Sequence, residues 1–99
     1  MNIQGQSAFV TGGGSGLGEA VARELTRLGA KVTVFDRNAE GAQRVAGEIG
    51  GLATVGDVAD SDNVTAALDA ATAAHGVPRI VMNVAGIGKA NRIVQKDGT

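Results

Sequence analysis

Apolar residues along the chain fall into two alternating kinds of run. Four are short and continuous: Ser7–Val10, Lys31–Asp36, Leu52–Val55 and Arg79–Val84. In Ser7–Val10 the absence of polar alternation is what a strand covered on both faces requires, whereas Arg79–Val84, interior in a complete sheet of this kind, is expected here to form an edge with apolar side chains uncovered. Between these runs the apolar positions take helical spacing. Leu17, Ala20, Val21, Leu25 and Leu28 form one stripe, Ala39, Ala42, Val45, Ala46 and Ile49 a second, and Val64, Ala67, Leu68 and Ala71 a third. Boundary residues agree with these stripes. Ser15 stands where the first helix needs an N-cap, and Gly29 where it should stop, so the first helix is expected over 15–28. Asn38 is placed to cap the second helix, which Gly50-Gly51 breaks. Asp60-Ser61-Asp62 opens the third with acids in its first turn, and His75-Gly76 followed by Pro78 closes it. From Ala85 onward the pattern predicts only loop and a polar tail. The expectation is therefore one partial domain over 1–99, with an ordered core at 1–84 and a tail at 85–99.

Strand, helix and strand alternate throughout, with tight connections. That order predicts an α/β fold, a parallel sheet with helices on both faces. Right-handed crossovers put the first two helices on one face and the third on the other. The expected strand order is 3-2-1-4, the first half of a Rossmann-type doubly wound sheet. Its switch point lies between the first and fourth strands, and ligands of such sheets bind outside the carboxyl ends of the strands at that crevice.

Composition narrows the picture. A net charge of −1 argues against nucleic acid as a partner. With no cysteine there is no disulfide framework and no thiolate metal site. No apolar run is long enough to cross a membrane, and the N-terminus does not read as a signal peptide, so a cytoplasmic protein is expected. His75, the only histidine, sits where a helix-ending residue complements the helix dipole, and no cluster around it suggests a metal. Arg23, Glu24, Arg27, Arg44 and Glu48 lie off the apolar stripes and read as solvated faces.

Chemistry concentrates in Thr11-Gly12-Gly13-Gly14-Ser15-Gly16-Leu17-Gly18, between the first strand and the first helix. A helix N-terminus offers unpaired N–H groups and partial positive charge to a phosphate, and glycines let the anion approach without meeting a Cβ. G-x-G-x-x-G fails in every register. A P-loop fails as well, because Glu19 stands where its lysine should be. The spacing that fits is T-G-x-x-x-G-x-G, on Thr11, Gly12, Gly16 and Gly18. Asp36 ends the second strand, where a carboxylate can accept hydrogen bonds from the ribose hydroxyls of an adenosine moiety and repel a 2′-phosphate. That favours NAD over NADP. Arg37 beside it weakens the preference without reversing it, since no Lys or Arg lies within Gly12–Gly18. The competing reading of Asp36 is a solvated strand-end acid.

This loop, together with Asp36, Asp57-Val58 and Asn83-Val84-Ala85-Gly86, resembles the short-chain dehydrogenase/reductase family over Gln4 to about Gly88. The resemblance implies a dinucleotide site formed by Gly12, Ser15, Gly16, Leu17, Gly18, Asp36, Asp57, Val58, Asn83, Ala85 and Gly86. In it, Asp57 and Val58 contact the adenine ring, Asn83 braces the central sheet, and Ala85 and Gly86 pass close to the cofactor ribose. For Asp57 the alternative is an acid that ends a strand and begins a turn. Val84 departs from the asparagine usual in the family at that place. The segment Asn83–Gly88 looks most like the branch acting on 3-hydroxyacyl-CoA esters and hydroxysteroids. The activity implied is hydride transfer between a nicotinamide and a small alcohol or carbonyl substrate, in a homo-oligomeric full-length parent. Family catalysis uses a Ser and a Tyr-x-x-x-Lys pair. This chain has no tyrosine, so none of its residues is assigned those roles and the 99 residues alone are expected to be inactive. The alternatives are a non-catalytic NAD-binding module and a truncated segment without activity.

Overall fold

The computed structural model describes residues 2–14 and 16–84. Four parallel strands and three helices alternate as β1 (Ser7–Thr11), α1 (Gly16–Arg27), β2 (Lys31–Asp36), α2 (Ala39–Ile49), β3 (Leu52–Val55), α3 (Ser61–His75) and β4 (Ile80–Asn83). The sheet order is β3-β2-β1-β4, the order expected from the alternation of elements. β1 is central. It pairs with β2 in the register Val10↔Val34 and with β4 in the register Val10↔Met82, and all five of its residues are buried. It runs one residue beyond the expected end because Thr11 pairs on both sides, with Phe35 and Asn83.

The two-residue period of a strand divides the core. Ala8, Val10, Val32 and Val34 point to one face and meet Ala22 and Leu25 of α1 and Ala42, Val45 and Ala46 of α2. Phe9 and Phe35 point to the other, where α3 covers them with Ala67 and Ala71 and, half-buried, Val64 and Leu68. Two helices on one face and one on the other is the outcome of right-handed crossovers. The two phenylalanine rings lie 5.7 Å apart between centroids, tilted by 31°. They supply the bulk that the alanine-rich helix lacks.

Caps hold the helices at the expected places. The Asn38 side chain accepts from the Gly41 N–H at 3.2 Å, and the Asp60 carboxylate accepts from the Asp62 and Asn63 N–H groups at 3.0 and 3.3 Å. α1 begins at Gly16; Ser15, expected as its cap, and the expected loop and tail from Ala85 onward lie outside the described residues. The edge expected at the fourth strand is present, with its apolar side chains uncovered: Val81 is 59% and Met82 37% exposed. β4 forms one edge of the sheet, and among the described residues no helix covers its outward side chains.

Phe9 is 1% exposed. Replacing a buried Phe by Ala costs about 3–5 kcal/mol, against about 5–15 kcal/mol for a whole domain. Phe9→Ala is therefore expected to shift the denaturant midpoint sharply downward in an equilibrium unfolding curve.

Candidate cofactor site

All four strands end at the same side of the sheet, and the loops leaving β1, β2 and β3 meet there. The turn out of β1 is made by Gly12, whose φ of +70° lies in the left-handed region that favours glycine. The Gly12 N–H donates to the Phe35 carbonyl at 2.7 Å, which fastens the loop to β2. The chain then re-enters α1 so closely that a Cβ on Gly18 would stand 1.8 Å from the Gly12 carbonyl oxygen. Nothing larger than hydrogen fits there. Gly14 is enclosed from the other side, where an added Cβ would lie 2.9 Å from both the Ala42 backbone nitrogen and the Asp36 Oδ2.

Asp36 is the hinge of this arrangement. Its Oδ2 accepts from the Gly14 N–H at 2.8 Å and its Oδ1 from the Asn38 N–H at 3.0 Å. The carboxylate read as a ribose acceptor thus also anchors the glycine loop. Beside it a cleft of about 70 Å³ is lined by Gly12, Phe35, Asp36, Arg37, Gly56 and Val58. That is room for part of a small ligand rather than the whole of one.

The remaining predicted residues divide. Val58 lines the cleft, but Asp57 does not: its Oδ1 accepts from the Ala59 N–H at 2.9 Å while its own N–H donates to Asn63 Oδ1 at 2.9 Å. That is the geometry of an acid beginning a turn. Gly16 and Leu17 open α1, with Leu17 56% exposed. Asn83 sits beside Thr11, where the loop begins, its Oδ1 accepting from the Thr11 hydroxyl at 2.8 Å, which ties the end of β4 to the end of β1. Ser15, Ala85 and Gly86 lie outside the described residues.

Sequence reasoning missed a set of charges behind the loop. Glu19, in the first turn of α1, is bound by Arg23 at 2.7 Å and by Arg44 of α2 at 2.9 Å. Arg23 also pairs with Glu48, and Arg44 lies 3.8 Å from Glu48. Arg44 further donates to the Gly14 carbonyl at 3.3 Å. The Arg44 and Arg23 guanidiniums pull the Glu19 carboxyl down to about 2. The i,i+4 spacing of Glu19 and Arg23 was readable in the sequence. The link to Arg44 was not, because only packing of α1 against α2 creates it. Among the described residues no cluster of three or more His, Cys, Asp or Glu is placed to hold a metal ion. No helix among them is long and apolar enough to cross a membrane.

A family model described as short chain dehydrogenase matches residues 6–97. The chain belongs to that family. It is 39% identical to the D-threitol dehydrogenase of Mycolicibacterium smegmatis, over 88% of this chain and 35% of that protein. It is also 39% identical to the 3-oxoacyl-[acyl-carrier-protein] reductase FabG of Pseudomonas aeruginosa, over 96% of this chain and 40% of that one. Among solved structures it resembles a 3-ketoacyl-(acyl-carrier-protein) reductase from Brucella melitensis complexed with NADH, with a TM-score of 0.78 and 43% identity over 80% of this chain and 34% of that one. A hydroxysteroid dehydrogenase from Escherichia coli superposes with a TM-score of 0.76 at 33% identity, over 81% of this chain and 36% of that one. The chain thus spans two-fifths or less of the length of these relatives.

Two outcomes are expected of this geometry. Gly18→Ala forces the Gly12 carbonyl away, so dinucleotide binding measured by calorimetry should fall while the far-ultraviolet dichroism of the helices is retained. Equal losses of both would make the contact purely structural. The second concerns acid. A carboxyl held below its usual 4.5 in the folded chain stabilises it above that pH, and the contribution disappears as pH falls toward about 2. Solvent screening keeps the contribution of such an exposed pair small, so thermal melts should show only a slight loss of stability across that window, and Glu19→Gln should remove that part of it.

Proposed function

We propose that this chain is the cofactor-binding part of an NAD-dependent oxidoreductase that interconverts a small alcohol and its carbonyl. The single observation that carries the reading is Asp36, whose carboxylate stands at the end of β2, against the glycine loop and on the wall of the cleft. The residues fit a dinucleotide. The closed approach of Gly18 to Gly12 keeps side chains away from the start of α1, where N–H groups favour phosphate. Asp36 has acceptor capacity for ribose hydroxyls beyond the two N–H groups it already holds. Val58 offers apolar surface to a flat ring. Gly12, Ser15, Gly16, Leu17, Gly18, Asp57, Asn83, Ala85 and Gly86 complete the proposed set.

When bound, the nicotinamide supplies the hydride exchange; the residues of this chain bind and orient the cofactor. Proton transfer to or from the substrate oxygen belongs to residues other than these 99, which include no tyrosine. NAD is favoured over NADP because Asp36 would face a 2′-phosphate with like charge, although Arg37 lines the same cleft. A cytoplasmic setting is part of the same proposal, supported by a composition free of cysteine.

The test is Asp36→Ser in the intact protein. Hydrogen bonds to a charged group are worth about 1.5–3 kcal/mol, so the NAD-to-NADP preference should narrow roughly ten- to a hundredfold. Because Asp36 also anchors Gly14, affinity for both cofactors should fall as the ratio narrows. An unchanged ratio would remove Asp36 from the ribose site.

A further inference from the structure

Gly14 is held from two sides by two different elements. Its N–H donates to Asp36 at the end of β2, at 2.8 Å, and its carbonyl accepts from Arg44 on α2, at 3.3 Å. The second bond is long, and a single long hydrogen bond does not by itself fix a flexible guanidinium on the surface. Glu19 is what can fix it. Its side chain is 22% exposed; Oε1 accepts from Arg44 at 2.9 Å, and Oε2 accepts from Arg23 at 2.7 Å and from Arg44 at 3.4 Å. With that carboxylate neutralised, the two arginines it gathers would repel one another, and Arg44 would retain only Glu48, 3.8 Å away.

We infer that Glu19 is a positioning residue of the cofactor loop, acting through Arg44 to hold the Gly14 carbonyl at the entrance to α1. The inference rests on the reading of this loop as a dinucleotide site. It differs from an ordinary inter-helix brace in one respect. Exposed ion pairs contribute little to global stability, but a pair that ends on a loop carbonyl sets the shape of that loop. Close packing supports the same point. A Cβ on Gly41 would stand 2.7 Å from the Gly14 oxygen, so α2 lies against this carbonyl and has room there for a hydrogen only. The guanidinium arriving from one turn further along α2 is the polar group that satisfies it.

Glu48 provides the comparison. It belongs to the same network, pairing with Arg23, but its route to the loop is only the 3.8 Å contact with Arg44. The experiment places Glu19→Gln, Arg44→Lys and Glu48→Gln in the intact protein. It reads amide hydrogen exchange of the 12–18 segment without cofactor, and NAD affinity by calorimetry. Glu19→Gln and Arg44→Lys should speed exchange in that segment and weaken NAD binding about two- to fivefold, the affinity equivalent of a partly exposed ion pair. Glu48→Gln should leave both readouts near wild type. Equal effects of Glu19→Gln and Glu48→Gln on loop exchange would reduce the network to a helix brace, and no effect of either would show that the loop holds itself. If the unaltered protein binds no NAD, the cofactor reading falls, while the exchange comparison still decides the role of Glu19.

Discussion

Helix α1 touches the loop that precedes it at a point where no side chain can exist. The missing Cβ of Gly18 lets the Gly12 carbonyl occupy that space, and everything at the carboxyl end of the sheet depends on this approach. It sets the angle at which α1 leaves β1. It brings Glu19, one residue on, within reach of Arg44 on α2. It also leaves Gly14 between Asp36 and α2, so that three secondary-structure elements are fastened around a loop with almost no side chains of its own. A loop so poor in side chains cannot define its own conformation. Its shape here is imposed from outside, by Phe35 through a backbone carbonyl, by Asp36 through a carboxylate and by Arg44 through a guanidinium.

In Asp36 one group both braces the loop and lines the cleft. A strand-end carboxylate that accepts two backbone N–H groups is structurally useful whatever the ligand. The same bonds orient it toward the cleft. Removing it disturbs the wall and the floor of the site together, and any variant at this position reports on both.

How legible this was from sequence differs by element. Strands β1 and β2 were plain because β-branched and apolar residues run without interruption and the caps agree with the helices that follow; all of β1 and most of β2 are buried as the pattern implies. At β4 the order of elements had to be read beside the pattern, because an apolar run that no helix follows is expected to form an uncovered edge. Apolar continuity reports what a strand is suited to have around it, and the helices among the described residues leave Val81 and Met82 uncovered. Gly12, Asp36 and Val58 line one cleft; the first two were legible as strand-end positions, which periodicity locates well, and Val58 only through the family resemblance. Asp57 stood one position from Val58 and could not be separated from it on sequence, because the direction of a side chain in a turn is set by local bonds, here to Ala59 and Asn63. Glu19 and Arg44 were illegible as partners. Their contact is made by the crossing of two helices, and a sequence carries no local mark of it.

The central position of β1 has a consequence for how the chain assembles. The first strand of this unit is the one that must be flanked on both sides. Its partner β2 arrives after a single helix, so a β-α-β unit with its share of core can form early and locally. The other flank closes only when Asn83 meets Thr11, 72 residues later in the chain. Closing a longer loop costs more entropy, and pairings distant in sequence slow folding. During synthesis, therefore, the central strand of this sheet keeps one edge open until β4 is made, although the cleft bounded by the ends of β1, β2 and β3 can already have formed.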